Sequence, residues 1–473
     1  MIKVIQNAVI LTMDENFTSF SSGYVAVKDD RIIAAGEGRY PGNDGEALPA
    51  DGAVCRNACG GIAESSGRNV SSEETEFIDG HGGILIPGFV NTHCHASMIP
   101  FRSMGDDCRD RLQRFLFPLE NEAMTPDLVY HAARYGIMEM LLSGITTFAD
   151  MYYFEDQVAR AAQELGIRAY VGETVIGMPT CDSPEPYGGL QYAERLIRDW
   201  KGTPHIHPFV APHATNTCTG EMLQKAYALA KRENTLFSLH NAEMDYEMTY
   251  FRDTFNTTPT AYLHSLGVLG SRTLLAHCIH LSDQDLEILR AADAAVAHCI
   301  GANTKSGKGV ARLKDLHEMK IRTGLGTDGP SSGNTLDLFV QMRLAASFHK
   351  TSNHDRALFP SEQLLRFATA GGAEALGGAA RYGTIAPGRK ADLTLISMDA
   401  VHMFPCFDPY AVLVYSANAS DVSMVMSDGN ILVRDGHLLN ADFYREREIL
   451  RELMQPFYKK AAAYRNILQE DKK

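Results

Sequence analysis

Ile84-Leu85-Ile86-Pro87-Gly88-Phe89-Val90-Asn91-Thr92-His93-Cys94-His95 is a strand-forming run that ends on two histidines one residue apart. Side chains two apart on a strand share a face, so these imidazoles project together. Three later runs close in the same manner. Thr235 to His240 leads into Asn241-Ala242-Glu243, Thr273 leads to His277, and Arg322 leads into Gly326-Thr327-Asp328-Gly329-Pro330. Further apolar runs span Ile145 to Met151, Ile167 to Thr174, His205 to His213 and Ala294 to His298. Stretches between them, such as Leu128 to Leu142 and Glu155 to Leu165, carry apolar residues at helical spacing. Alternation of this kind predicts parallel strands crossed over by helices. Eight units specify an α/β fold, the TIM-type (β/α)8 barrel, whose chemistry sits at the carboxyl ends of its strands. All four motifs stand at such ends.

Outward from the barrel, the chain changes character on both sides. Residues 1 to about 38 alternate short β-like runs with turns, among them Ala8-Val9-Ile10-Leu11-Thr12 and Tyr24-Val25-Ala26-Val27. From about 40 to 75 the sequence is rich in Gly, Ser, Asn and Glu and reads as a long loop, with Cys55 and Cys59 as plain loop residues. After Gly383-Thr384-Ile385-Ala386-Pro387-Gly388, β-like pieces return at Asp392 to Ile396, Val422 to Met426 and Asn430 to Val433. The expected organisation is therefore a small β-sandwich domain built from residues 1–83 and 385–440, a barrel domain over 84–384, and a C-terminal helix over 441–473. The Arg/Glu alternation of that helix reads as a solvated face.

A chain of 473 residues accommodates a barrel plus a smaller domain, and 45% hydrophobic with 22% charged residues suits a soluble globular enzyme. A formal charge of -14 speaks against binding nucleic acid or an anionic membrane, which clustered Lys and Arg normally hold. Nine cysteines, an odd number without paired zinc spacing, fit reduced thiols in a cytosol. The start Met1-Ile2-Lys3-Val4-Ile5 opens into a strand-like run without the pattern of an export signal, and no apolar run reaches the roughly 18 residues of a membrane helix, so a cytoplasmic location is expected.

Neutral imidazoles suit zinc, iron or nickel. His93, His95 and His240 are candidate nitrogen ligands, and Asp328 supplies a carboxylate that could bind the metal and orient a water. Glu243 is placed to move a proton from that water to a departing amine, a role that calls for a pKa raised by partial burial. His277 is a candidate to polarise substrate or hold the water, and His213 a candidate substrate contact. His298 is left outside the mechanism.

Taken together, Pro87 to His95, Gly144-Ile145-Thr146-Thr147, Ala211-Pro212-His213, His240 to Glu243, Ala276-His277-Cys278, Gly326 to Gly329 and Gly388-Arg389-Lys390-Ala391-Asp392-Leu393 resemble the amidohydrolase superfamily. The likeness is to its branch of cytosine, chlorotriazine and methylthioadenosine/S-adenosylhomocysteine deaminases, and it covers nearly the whole chain. The resemblance implies one divalent metal, zinc before iron, manganese or cobalt, on His93, His95, His240 and Asp328. Binuclear relatives use a modified lysine on the fourth strand, and His205 to Pro212 offers none. It further implies Glu243, His277 and Asp328 as the catalytic groups and a homo-oligomer as the assembly. Leu116-Phe117-Pro118-Leu119-Glu120 matches the segment in which adenosine-type deaminases place a glutamate on the ribose hydroxyls. Departures also appear: Glu173 and Leu190 stand where arginines suit a substrate carboxylate, and Cys299-Ile300 replaces an Asn-Pro. The expected substrate is thus a small heterocyclic amine without a carboxylate tail, such as adenosine, methylthioadenosine or 5'-deoxyadenosine. Competing readings are another hydrolysis on the same site, such as triazine dechlorination or dealkylamination, guanine- or pterin-type deamination or cyclic amide opening, and a non-catalytic metal-binding assembly protein.

Overall fold

In a computed structural model, which describes residues 1–41 and 74–470, the run from Ile84 to His95 is divided at Gly88 between two sheets. Ile84–Pro87 pairs with Ile2–Leu11 and Leu393–Ile396, whereas Phe89–Cys94 opens the barrel. Gly88 permits the crossing, because a Cβ there would lie 2.2 Å from Thr146 Oγ1. The expected loop at about 40–75, with Cys55 and Cys59, falls almost wholly outside the described residues.

Eight parallel strands follow in order: Phe89–Cys94, Ile145–Tyr152, Arg168–Val175, Ile206–Pro212, Phe237–Asn241, Thr273–His277, Ala295–His298 and Thr323–Leu325. Each is hydrogen-bonded to the next. The first and last meet at a seam bridged largely by polar side chains. Asn91 donates from Nδ2 to Thr327 Oγ1 at 2.8 Å and accepts the Thr327 N–H at 3.0 Å, while the Thr92 hydroxyl donates to the Leu325 carbonyl at 2.9 Å. The Asp328 N–H then reaches the His93 carbonyl at 3.1 Å. Inside, alternate residues of successive strands, Val90, Ala149, Met151, Phe209, Ala211, Leu274, Ala276, Ala295 and Ala297, form a continuous apolar core. The first strand's register with its neighbour shifts between Asn91 and Cys94, and a bulge of this kind re-aims side chains. It turns His93 toward the interior three residues after Val90.

The two chain ends join in a separate nine-stranded sheet, running from His437–Leu438 at one edge through Leu393–Ile396, Ile84–Pro87 and Ile2–Leu11 to Arg31–Glu37 at the other. Ile5, Ile10, Val25, Val27, Leu85, Leu393, Met424 and Met426 pack together across these strands. Arg168, at the start of the third barrel strand, ties the sheet to the barrel. Its guanidinium pairs with Asp392 and, at 2.5 Å, with Asp428, and the Arg168 and Asp392 side chains are 3% and 2% exposed. The terminal helix Phe443–Ala461 is less solvated than its charge pattern implies. Glu446 is buried against His131 and Arg134 at 2.5 and 3.0 Å, and Phe457 meets Phe101 edge-on. A charge alternation cannot show which of its members finds a partner.

Removing one partner of a buried ion pair leaves the other uncompensated, at a cost of about 3–5 kcal/mol. Arg168→Met is therefore expected to lower unfolding free energy by roughly that amount in urea titration, and a loss below ~1 kcal/mol would show that the pairs hold nothing together.

Candidate metal centre and active site

Four histidines and an aspartate meet at the carboxyl mouth of the barrel. Ring centroids of His93 lie 4.8, 4.9 and 5.7 Å from those of His95, His240 and His277, and the His240 and His277 rings stack at 5.3 Å. His95 Nε2 stands 3.2 Å from Asp328 Oδ1. The backbone is bent to achieve this. His277 and Asp328 have φ of 69° and 57°, in the left-handed region that non-glycine residues rarely adopt. Such strain persists where surrounding structure overdetermines it, and here it swings both side chains over the mouth.

Hydrogen bonds sort the ring nitrogens. His95 gives its Nδ1 proton to the Met151 carbonyl at 2.5 Å, and His240 gives its own to the His213 carbonyl at 2.6 Å. A carbonyl only accepts, so both rings carry a proton on Nδ1 and leave Nε2 as the nitrogen that can take a metal. His277 Nδ1 faces Asn303 Oδ1 at 2.8 Å. His93 Nε2 is buried without a hydrogen-bond partner among the described residues. An orphaned imidazole nitrogen costs desolvation energy that a bound ion would recover. The ligand atoms of His93, His95 and Asp328 lie within 4.8 Å of one another, as do those of His93, His240 and His277. These residues therefore supply the nitrogen and oxygen donors that a divalent cation takes.

Electrostatics divides the histidines. Burial, then the charges of neighbouring imidazoles, holds His93 and His240 well below the ordinary histidine value. Burial also opposes charge on His95, but the hydrogen bond and charge of Asp328 outweigh it and raise His95 to about 9. Asp328, despite burial, is held well below the usual carboxylate range by His95.

Glu243 lies beside the cluster, with Oε1 3.6 Å from His277 Nε2. Its pKa runs opposite to expectation. Burial alone would raise it, but the charges of His277 and Lys308 hold it well below the ordinary glutamate value. Lys308, which no sequence pattern marked, donates from Nζ to Glu243 Oε1 at 2.5 Å. The turn carrying Glu243 is fixed by Glu247, which accepts the Ala242 and Glu243 N–H groups at 3.2 and 2.8 Å. His213 sits at the rim, its ring 4.9 Å from His240 and its Nδ1 3.0 Å from the Thr217 hydroxyl, and burial lowers it to about 4. Glu120, on helix Phe117–Ala123, is 4% exposed and accepts the Tyr152 hydroxyl at 2.9 Å, and the Tyr152 ring lies 6.5 Å from His95. All eight anticipated site residues thus fall around one mouth. Glu173 turns away from it and accepts the Glu155 N–H at 3.0 Å, and His298 pairs with His349 at 2.9 Å. Asn303, Tyr152 and Glu247 are supporting residues that only the folded chain exposes.

A barrel that presents imidazoles, an aspartate and an adjacent carboxylate at its strand ends is the architecture of a metal-assisted hydrolase. Residues 84–432 match the Amidohydrolase family, and the chain belongs to that family. It is 35% identical over 445 residues to 5-methylthioadenosine/S-adenosylhomocysteine deaminase of Syntrophobacter fumaroxidans, covering 93% of this chain and 95% of the relative. It is 33% identical over 453 residues to 5'-deoxyadenosine deaminase of Methanosarcina mazei, covering 95% and 96%. An adenosine deaminase from Xanthomonas campestris, solved with bound zinc, superposes with a TM-score of 0.86 at 25% identity, covering 97% of this chain and 98% of that one.

Elemental analysis of the purified protein is expected to find about one divalent ion per chain, given two triads of nitrogen and oxygen donors that share His93. His93→Ala should reduce that content by at least about tenfold while leaving the circular dichroism spectrum unchanged, since second-sphere changes alone cost 10–100-fold in affinity.

Proposed function

We propose that this protein is a metal-dependent hydrolytic deaminase that releases ammonia from an adenine nucleoside, such as adenosine, methylthioadenosine or 5'-deoxyadenosine. The observation that carries the reading is Glu243, a carboxylate set against His277 beside two donor triads that share His93, one with His240 and His277 and one with His95 and Asp328. The names of the Syntrophobacter and Methanosarcina relatives support the substrate class. Zinc suits the ligand set and is the ion bound in the Xanthomonas structure.

In this reading His93, His95, His240 and Asp328 hold the ion. When bound, the ion supplies Lewis acidity that brings the pKa of water from 15.7 toward ~7. His277, its Nδ1 tied to Asn303, offers Nε2 to orient the attacking water, and Asp328 steadies the same oxygen. Glu243 accepts one water proton and passes it to a ring nitrogen, then carries the second proton of the same oxygen to the leaving amine. The net change is replacement of an exocyclic amino group by oxygen, with one water consumed and one ammonia released. Glu120, whose partner among the described residues is the neutral Tyr152 hydroxyl, accepts hydrogen bonds from the ribose. A triazine hydrolase would share the metal and Glu243 but would have no use for Glu120.

An ammonia-release assay across adenine nucleosides, guanines, pterins and aminotriazines tests the reading. Turnover should be highest on a nucleoside, and silence on every nucleoside would defeat it. Glu243→Gln should retain the metal and lose about 10²–10⁴ in kcat, the range general acid and base catalysis supplies. Wild-type turnover in a metal-loaded Gln variant would remove Glu243 from the mechanism.

Glu120 also predicts a pH dependence. Burial raises it to about 7, with the Tyr152 hydroxyl pulling the other way. A raised carboxylate is protonated below that pH and loses acceptor capacity there, so KM for adenosine should climb as pH falls through about 7. KM for 2',3'-dideoxyadenosine, which lacks the hydroxyls, should stay flat. Parallel profiles for the two would free Glu120 from ribose recognition.

A further inference from the structure

Lys308 belongs to a short segment, Ser306-Gly307-Lys308-Gly309, between the helix Ile300–Lys305 and the helix Leu313–Glu318. Its two flanking glycines have φ of 64° and 124°, conformations that an L side chain rarely adopts. At Gly309 an added Cβ would also come within 3.0 Å of Ile279 Cγ2. Turns of this kind on both sides point the lysine back toward the barrel. Its backbone is tied down as well, the Lys308 N–H donating to the Asn303 carbonyl at 3.0 Å. Asn303 is the residue whose Oδ1 meets His277 Nδ1 at 2.8 Å. One asparagine thus holds both His277 and Lys308, and both of these converge on Glu243 Oε1, at 3.6 and 2.5 Å.

Lysine ammonium groups seldom leave water unless paired. This one is only 15% exposed, and the carboxylate it meets is 17% exposed. With Oε1 taken by Lys308, no protein donor among the described residues occupies Glu243 Oε2 within hydrogen-bond distance. The carboxylate has one anchored oxygen and one available for exchange. A general acid or base must sit within hydrogen-bond reach of its proton in a fixed orientation, and a free glutamate side chain rotates among several rotamers.

We propose that Lys308 is a positioning residue for the deamination: it clamps Glu243 through Oε1, so that Oε2 is the atom that carries the proton to substrate. The kinetic part of this inference rests on the deaminase reading above, and the geometric part does not. If the clamp is what orients Glu243, Lys308→Met should lower kcat on the best nucleoside by about ten- to a hundredfold, within the range that misplacement of a catalytic group costs. KM should move by less than about threefold, because uniform binding is untouched. Metal content should equal that of the parent. Lys308→Arg, which restores a cationic donor, should recover at least about a third of kcat, a rescue that a mere packing role would not give. If Lys308→Met does not fold, Lys308→Gln serves the same comparison.

A crystal structure of the metal-loaded Lys308→Met or Lys308→Gln protein supplies the second reading. The Glu243 carboxylate is expected to have rotated away from His277. Glu243 unmoved in that structure would overturn the proposal, and so would kcat within about twofold of the parent. If the parent itself releases no ammonia from any nucleoside, the deaminase reading falls, and the position of Glu243 in the variant still decides whether Lys308 is its clamp.

Discussion

Closure of the barrel between its first and last strands is the constraint on which the site depends. His93 and Asp328 are 235 positions apart in sequence, one on the first barrel strand and the other in the loop after the last, and those two strands share no regular ladder. They meet because Asn91 and Thr92 bridge the gap with side-chain hydrogen bonds to Thr327 and Leu325. Buried polar groups are tolerated only when paired, and here the pairing is reciprocal, Asn91 acting as donor and acceptor toward one residue. The same seam delivers the Asp328 N–H to the His93 carbonyl. Polar residues inside an otherwise apolar run are thus part of the closure, and they set the distance between two proposed ligands.

Around that seam, the site gathers groups that repel or desolvate one another when nothing binds them. His93, His95, His240 and His277 crowd within a few ångströms, and the buried Nε2 of His93 lacks a partner among the described residues. Hydrogen bonds from His95 and His240 to backbone carbonyls fix the ring orientation, with Nδ1 as donor and Nε2 as the nitrogen left to bind. The cost of assembling this cluster is borne by the surrounding barrel, whose inner strands are lined with alanines and larger apolar side chains. Function and stability pull in opposite directions here, as they commonly do at catalytic sites.

Much of this was legible before folding. The strand runs could be read because parallel barrel strands are buried on both faces and appear as short apolar blocks, and the histidines stood out because they interrupt those blocks at one end. Asp328 was legible through its glycine neighbours. The division at Gly88 was not, because Ile84 to Cys94 is apolar on both sides of the crossing and nothing local says which sheet each half joins. The burial of Glu446 was hidden in a charge pattern that looks the same whether solvated or paired. Lys308, Asn303 and Glu247 lie outside the apolar runs, and their partners come from other elements, so no spacing rule marks them. The lowered pKa of Glu243 was not legible for the same reason, since burial is foreseeable from its motif and a buried ammonium beside it is not.

The central claim is that His93, His95, His240 and Asp328 converge on one cation. Anomalous X-ray diffraction from zinc-loaded crystals, collected on either side of the zinc absorption edge, tests it most directly. The account predicts a single strong peak within about 2.0–2.2 Å of three imidazole nitrogens and one Asp328 oxygen. A peak elsewhere on the protein, or none at this mouth in a protein that retains stoichiometric zinc, would contradict it.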